Sequence, residues 1–133
     1  MTVSVAPRTF GLALAGGAGS RMGGADKARL VVGGRPLLDR ALAALGAASR
    51  VAVAGGARIR PADAPGVVVL ADPRPGLGPL AGLAAGLAWA EDAGADWLLT
   101  APVDAPFLAP SVYVALLAAA APGDVAVVAG EGG

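Results

Sequence analysis

Thr9-Phe10-Gly11-Leu12-Ala13-Leu14 is a short apolar run that empties into a loop carrying five glycines, at positions 16, 17, 19, 23 and 24, before Lys27. The run has the character of a buried parallel strand, and a strand that opens into glycines can turn successive backbone N–H groups inward. Such a concavity holds phosphate oxygens with no bulky side chain in the way, and Arg21 and Lys27 add cations around it. The loop therefore reads as a phosphate site between a strand and the next element.

The rest of the chain repeats the alternation of strand and helix. Ala28 to Val32 is extended or irregular, Gly33-Gly34 turns, and Pro36 stands where a helix can start, with Leu38, Leu42 and Leu45 on one face and Gly46 at its end. Arg50 to Ala54 and Val67 to Ala71 read as two further strands, both expected inside the sheet. Pro79 opens a helix with the stripe Leu80, Leu83, Ala84 and Leu87, and Trp97 to Thr100 follows as a strand. Pro110 opens another helix with Tyr113, Leu116, Leu117 and Ala120 aligned, and Val125 to Val128 is a fifth strand. This order predicts a mostly parallel α/β sheet with right-handed crossovers, in one domain over residues 1–133. The end on Gly130-Glu131-Gly132-Gly133, just after an apolar strand, reads as the truncation of a longer protein.

Composition narrows the chemistry. Apolar residues make up 56% of the chain but aromatic ones only 4%, so the core must be built from Ala, Val and Leu in closely stacked layers. Basic and acidic residues number 10 each, which leaves no broad field to draw in nucleic acid or an anionic membrane. With no Cys and no His, thiol catalysis, zinc on those ligands and an imidazole base are all excluded. Phe10 to Gly19 is broken by glycines and preceded only by Arg8, unlike a signal peptide, and Pro106, Pro110 and Pro122 interrupt the uncharged stretch after Asp104. The expected setting is the cytoplasm.

Two familiar glycine motifs fail against the loop. A Walker loop needs Gly-Lys-Ser/Thr, whereas Lys27 stands between Asp26 and Ala28. The dinucleotide fingerprint starts at Gly17-Ala18-Gly19 but has Met22 at its third glycine, and Arg50 to Ala54 ends without an acid for a ribose. A hydride-transfer enzyme is disfavoured. In an open parallel sheet ligands settle beyond the carboxyl ends of the strands, and the loop, Asp72 and Asp104 all follow predicted strands at that edge. Asp72 before Pro73 and Asp104 before Ala105-Pro106 also suit plain turns, and Arg21 and Lys27 also suit solvated loop positions.

Leu14-Ala15-Gly16-Gly17, then Arg21-Met22-Gly23-Gly24, one variable residue and Asp26-Lys27 resemble the signature of the molybdenum cofactor guanylyltransferases. Asp72, Gly78-Pro79-Leu80-Ala81-Gly82-Leu83 and Pro102-Val103-Asp104-Ala105-Pro106 look like that family's later motifs, in the same order. The resemblance implies a three-layer, Rossmann-like sheet of the nucleotidyltransferase type and transfer of GMP from GTP to molybdopterin or its molybdenum form, with pyrophosphate released. It implies that Leu14, Ala15, Gly16 and Gly17 line the nucleotide, that Lys27 contacts its phosphates, that Asp72 belongs to the nucleotide site and that Asp104 binds Mg2+. Arg21 and Lys27 then neutralise phosphate charge in catalysis, with Asp104 holding the metal. It also implies a molybdoenzyme or cofactor chaperone as protein partner.

Two departures stand out. Ala54 occupies a position where family members often carry Asn, and the family's C-terminal part, which follows the fifth strand and helps form the pterin-side pocket, is expected to be missing. The alternatives are a relative of the same fold using CTP or a sugar phosphate, and a catalytically silent nucleotide-binding fragment. Guanine is preferred over cytosine on the resemblance alone.

Overall fold

A computed structural model of the chain describes residues 8–15, 31–32, 34–54, 66–70, 79–103 and 109–119. Its strands are β1 (Thr9–Leu14), β2 (Val31–Val32), β3 (Arg35–Pro36), β4 (Arg50–Ala54), β5 (Val68–Val69) and β6 (Trp97–Pro102). Its helices are α1 (Leu37–Ala44), α2 (Pro79–Asp92) and α3 (Pro110–Ala119). β2 and β3 form a small antiparallel hairpin whose turn places Gly34 at φ +81°, the left-handed region that a glycine enters freely.

The other four strands form a parallel sheet in the order β5-β4-β1-β6. The step from β1 to β4 moves toward one edge with α1 on one face. The step from β5 to β6 moves toward the other edge with α2 on the opposite face. Reversing both direction and face preserves the hand, so the two crossovers share one handedness. The expected run Val67 to Ala71 appears as a two-residue strand at an edge of the described sheet, not inside it, with Ala52 opposite Val68 and Val53 opposite Val69. Ala71, Ala120 and Val125 to Val128 lie outside the described residues.

Side chains alternate along each strand, and the alternation sorts the core into two layers. Ala13, Ala15, Val53, Leu99, Ala101 and Val103 face α1 and α3, where Leu37, Leu38, Ala41, Leu45 and Tyr113 close the layer. Leu12, Ala52 and Ala54 face α2, with Leu14, Val68, Leu70, Leu83, Trp89 and Leu98 packed on them. The three-layer architecture follows from burying both faces of a central parallel sheet.

Small residues set the layer spacing at β1. A Cβ at Gly11 would stand 3.1 Å from the Ala48 Cβ and 3.2 Å from that of Leu45, and one at Gly86 of α2 would overlap the Leu12 side chain. This close approach corrects the expected stripe on α2. Leu80 is 74% exposed, Leu87 is 51% exposed and Ala84 is exposed; of that stripe only Leu83 packs inward. The most buried positions of the helix are instead Ala81, Gly82, Gly86 and Ala90, and at Gly86 the approach to Leu12 leaves no room for a side chain. α2 is apolar all round until Glu91, so periodicity alone could not choose its face.

Among the described residues, no helix is long and apolar enough to cross a membrane.

Candidate nucleotide site at the carboxyl edge

The four parallel strands end level with one another. Leu14 lies opposite both Ala54 and Pro102, and Val53 lies opposite Val69. Three backbone bonds extend the ladder one residue further: Ala15 N–H donates to the Ala54 carbonyl (2.9 Å), Leu70 N–H to Val53 (2.9 Å) and Val103 N–H to Leu14 (3.1 Å). The chain leaves the sheet at Ala15, Ala54, Leu70 and Val103 along one edge.

β1 is the strand where the winding reverses: its successor β4 lies on one side and β6 on the other. Open α/β sheets bind ligands in the crevice outside the carboxyl ends at such a switch point. The residue after Ala15 is Gly16, which begins the glycine loop, and the residue after Val103 is Asp104. Gly16, Gly17, Arg21, Lys27, Asp72 and Asp104 all lie outside the described residues.

Leu14 and Ala15 are described, and their side chains are committed to the core. Leu14 packs in the layer beneath α2, and Ala15, 1% exposed, packs in the layer beneath α1 and α3. The Leu14 carbonyl and the Ala15 N–H are taken up by Val103 and Ala54 in the extended ladder. Ala54, 2% exposed, sits in the α2-side layer with Leu12 and Ala52.

Charge at the amino edge has a separate role. Arg8 N–H donates to Asp96 Oδ2 at 2.8 Å, and the Arg50 guanidinium lies over the Phe10 and Trp89 rings, 5.4 and 5.8 Å from their centroids. These groups fasten the beginnings of the strands, away from the crevice. Among the described residues no three His, Cys, Asp or Glu side chains gather as a metal-binding group.

The model of the MobA-like NTP transferase domain matches residues 11–133. The chain belongs to that family. In this MobA-like NTP transferase, 113 residues are 49% identical to a molybdenum cofactor guanylyltransferase of Cereibacter sphaeroides, covering 81% of this chain and 58% of that protein. A molybdenum cofactor guanylyltransferase of Acidiphilium cryptum is 47% identical over 109 residues, covering 80% of this chain and 55% of that one. The chain thus spans little more than half the length of these curated relatives. Among solved structures, the 2-C-methyl-D-erythritol 4-phosphate cytidylyltransferase of Thermus thermophilus superposes with a TM-score of 0.56 at 28% identity, over 99% of this chain and 60% of that one. The family places the chain among the nucleotidyltransferases, whose chemistry generally uses a divalent metal.

One contribution at this edge was not legible as such in the sequence. Tyr113 reads there as one apolar member of a stripe, but its hydroxyl donates to the Thr100 carbonyl at 2.7 Å. Burial pushes the Tyr113 phenol above its ordinary value of 10.0. An acid whose folded value is raised contributes stability that is complete below the unfolded value and is lost as pH climbs through it. Stability should therefore fall above about pH 10. Tyr113→Phe should cost on the order of 1 kcal/mol at neutral pH and flatten that alkaline fall, as read from urea unfolding at both pH values.

Proposed function

We propose that this chain is the GTP-binding part of a guanylyltransferase that transfers GMP to the terminal phosphate of molybdopterin or its molybdenum form. The observation that supports this most is the level ending of β1 and β6 at the switch point, with the Leu14 carbonyl bonded to Val103 N–H. The two strands that lead into the glycine loop and into Asp104 are thereby neighbours.

In this reading a phosphate oxygen of the acceptor attacks the α-phosphorus of GTP. The bond from that phosphorus to the bridging oxygen breaks, and pyrophosphate leaves. The nucleophile is already ionised, so no proton must be taken from it, in keeping with a chain that has no His. Main-chain N–H groups from Gly16 onward bind and orient the triphosphate, while Lys27 and Arg21 neutralise its charge. Asp72 belongs to the nucleotide site. Asp104 is the protein ligand for Mg2+, a hard cation satisfied by one or two carboxylates with phosphate oxygens and water supplying the rest. When bound, the metal supplies charge neutralisation at the phosphates. The setting is the cytoplasm, with a molybdoenzyme or cofactor chaperone receiving the product.

Calorimetry of GTP, CTP, ATP and NAD with and without Mg2+ tests the reading. GTP should bind more tightly than the others, magnesium should strengthen it, and Asp104→Ala should remove at least roughly ten-fold of that affinity. Preference for CTP would redirect the reading to a cytidylyl donor. Base-indifferent binding would sink it.

A further inference from the structure

Among the described residues the large apolar side chains left exposed are Leu80, Leu87 and Val114, and the first two stand on α2. Leu80, Ala84, Leu87 and Glu91 are all exposed, and the alternation of four-, three- and four-residue steps keeps them in one line along the helix. The line lies away from Gly86, which rests against Leu12, so the contact that seats α2 on the sheet also turns these residues to solvent. From Pro79 to Ala90 the helix carries no charge.

The line is complementary to itself. In an antiparallel pairing with a second α2, Leu80 of one copy comes level with Leu87 of the other. Ala84 then lies beside the two-fold axis, where its small side chain lets the two backbones approach. Each apolar contact is made twice, as an isologous interface requires.

Charge favours the same orientation. α2 ends in two exposed acids, Glu91 and Asp92, with no basic residue in its last turn and no acid in its first. Acids at a helix's own carboxyl end oppose its dipole, whereas in the antiparallel pair they stand beside the amino end of the other helix, where negative charge is stabilised. With 14 residues α2 is about 21 Å long. Two helices of that length bury well under the roughly 800 Å² per partner of a stable complex, so the association is weak and reversible.

We propose that the outward face of α2 is a homodimer surface, covered by a second copy of this chain in antiparallel α2–α2 packing. The chain has no cysteine, so Ala84→Cys places a single thiol at the proposed axis, and Ala118→Cys on the exposed side of α3 is the control. Under mild oxidation at matched concentration, with each rate scaled by that thiol's reaction with a small disulfide, Ala84→Cys should form the covalent dimer at least roughly ten-fold faster. Adding Leu87→Glu, at a position already half exposed, should bring it down to the control rate, with a urea transition confirming the fold. Sedimentation equilibrium of the unaltered chain should give a monomer–dimer Kd on the order of 100 µM. Glu91→Gln with Asp92→Asn should weaken it roughly five-fold without lowering resistance to urea, because those acids oppose their own helix. Equal cross-linking at the two thiols, or a rate untouched by Leu87→Glu, overturns the inference. So does a monomer at every concentration up to roughly ten times that Kd, which leaves the line of leucines to a different protein surface.

Discussion

Replacing Leu12 with alanine should lower the unfolding free energy by about 2–5 kcal/mol, and adding Gly86→Ala to that variant should return part of the loss. Leu12 is fully buried, in the middle of the central strand, and α2 lies against it at Gly86. Gly86→Ala alone brings a helix-propensity gain of about 1 kcal/mol, but its new methyl overlaps the fully buried Leu12 side chain, which must shift within a closed layer at a cost of about 1–3 kcal/mol. The overlap wins and the single variant is destabilised. Once Leu12 is alanine the overlap is gone, the propensity gain remains and the methyl fills part of the cavity. Urea unfolding of the four proteins should show a favourable coupling of about 1–3 kcal/mol. Additive effects across the cycle would show that α2 does not sit on Leu12 as described.

The same contact explains what could and could not be read from the residues. Strands β1, β4 and β6 were legible because apolar runs bounded by glycine, proline and charge leave little choice, and the start of α1 followed from Pro36 with Leu38, Leu42 and Leu45 behind it. The face of α2 was not legible. Leucines ordinarily mark the buried stripe of a helix, but where the sheet side must accept close approach the glycines and alanines go in and Leu80 and Leu87 remain outside. The place of β5 at an edge of the described sheet was hidden too, since an apolar pair such as Val68-Val69 suits either an edge or a centre.

At the candidate site, the sequence indicated that chemistry-bearing residues follow strand ends. It did not reveal which ends are neighbours. That depends on strand order, and order arises from long-range pairing that no local pattern encodes. The reversal at β1 makes the exits at Ala15 and Val103 adjacent and puts Leu70 two strands away, beyond β4. The hydroxyl of Tyr113 was invisible for a similar reason: its acceptor is an outward carbonyl of β6, and no side-chain pattern identifies that group.

Phe10→Ala should cost about 3–5 kcal/mol while leaving GTP affinity per folded molecule unchanged. Phe10 is fully buried at the amino end of β1, its ring centroid 4.9 Å from that of Trp89 and tilted 40° to it, under the Arg50 guanidinium. Removing the ring opens a cavity, breaks the aromatic pair and takes away one surface beneath the cation. Arg50→Ala, which leaves both rings in place, should cost only about 0.5–1 kcal/mol, the size of a cation–π contact at an exposed site. The difference between the two variants separates core volume from charge. A loss of several kcal/mol is a large share of the roughly 5–15 kcal/mol that holds a typical domain together, so Phe10→Ala is best assayed well below its lowered transition. Because Phe10 stands at the edge opposite Ala15 and Val103, a fall in GTP affinity of the folded Phe10→Ala protein would show that the two edges are coupled through β1.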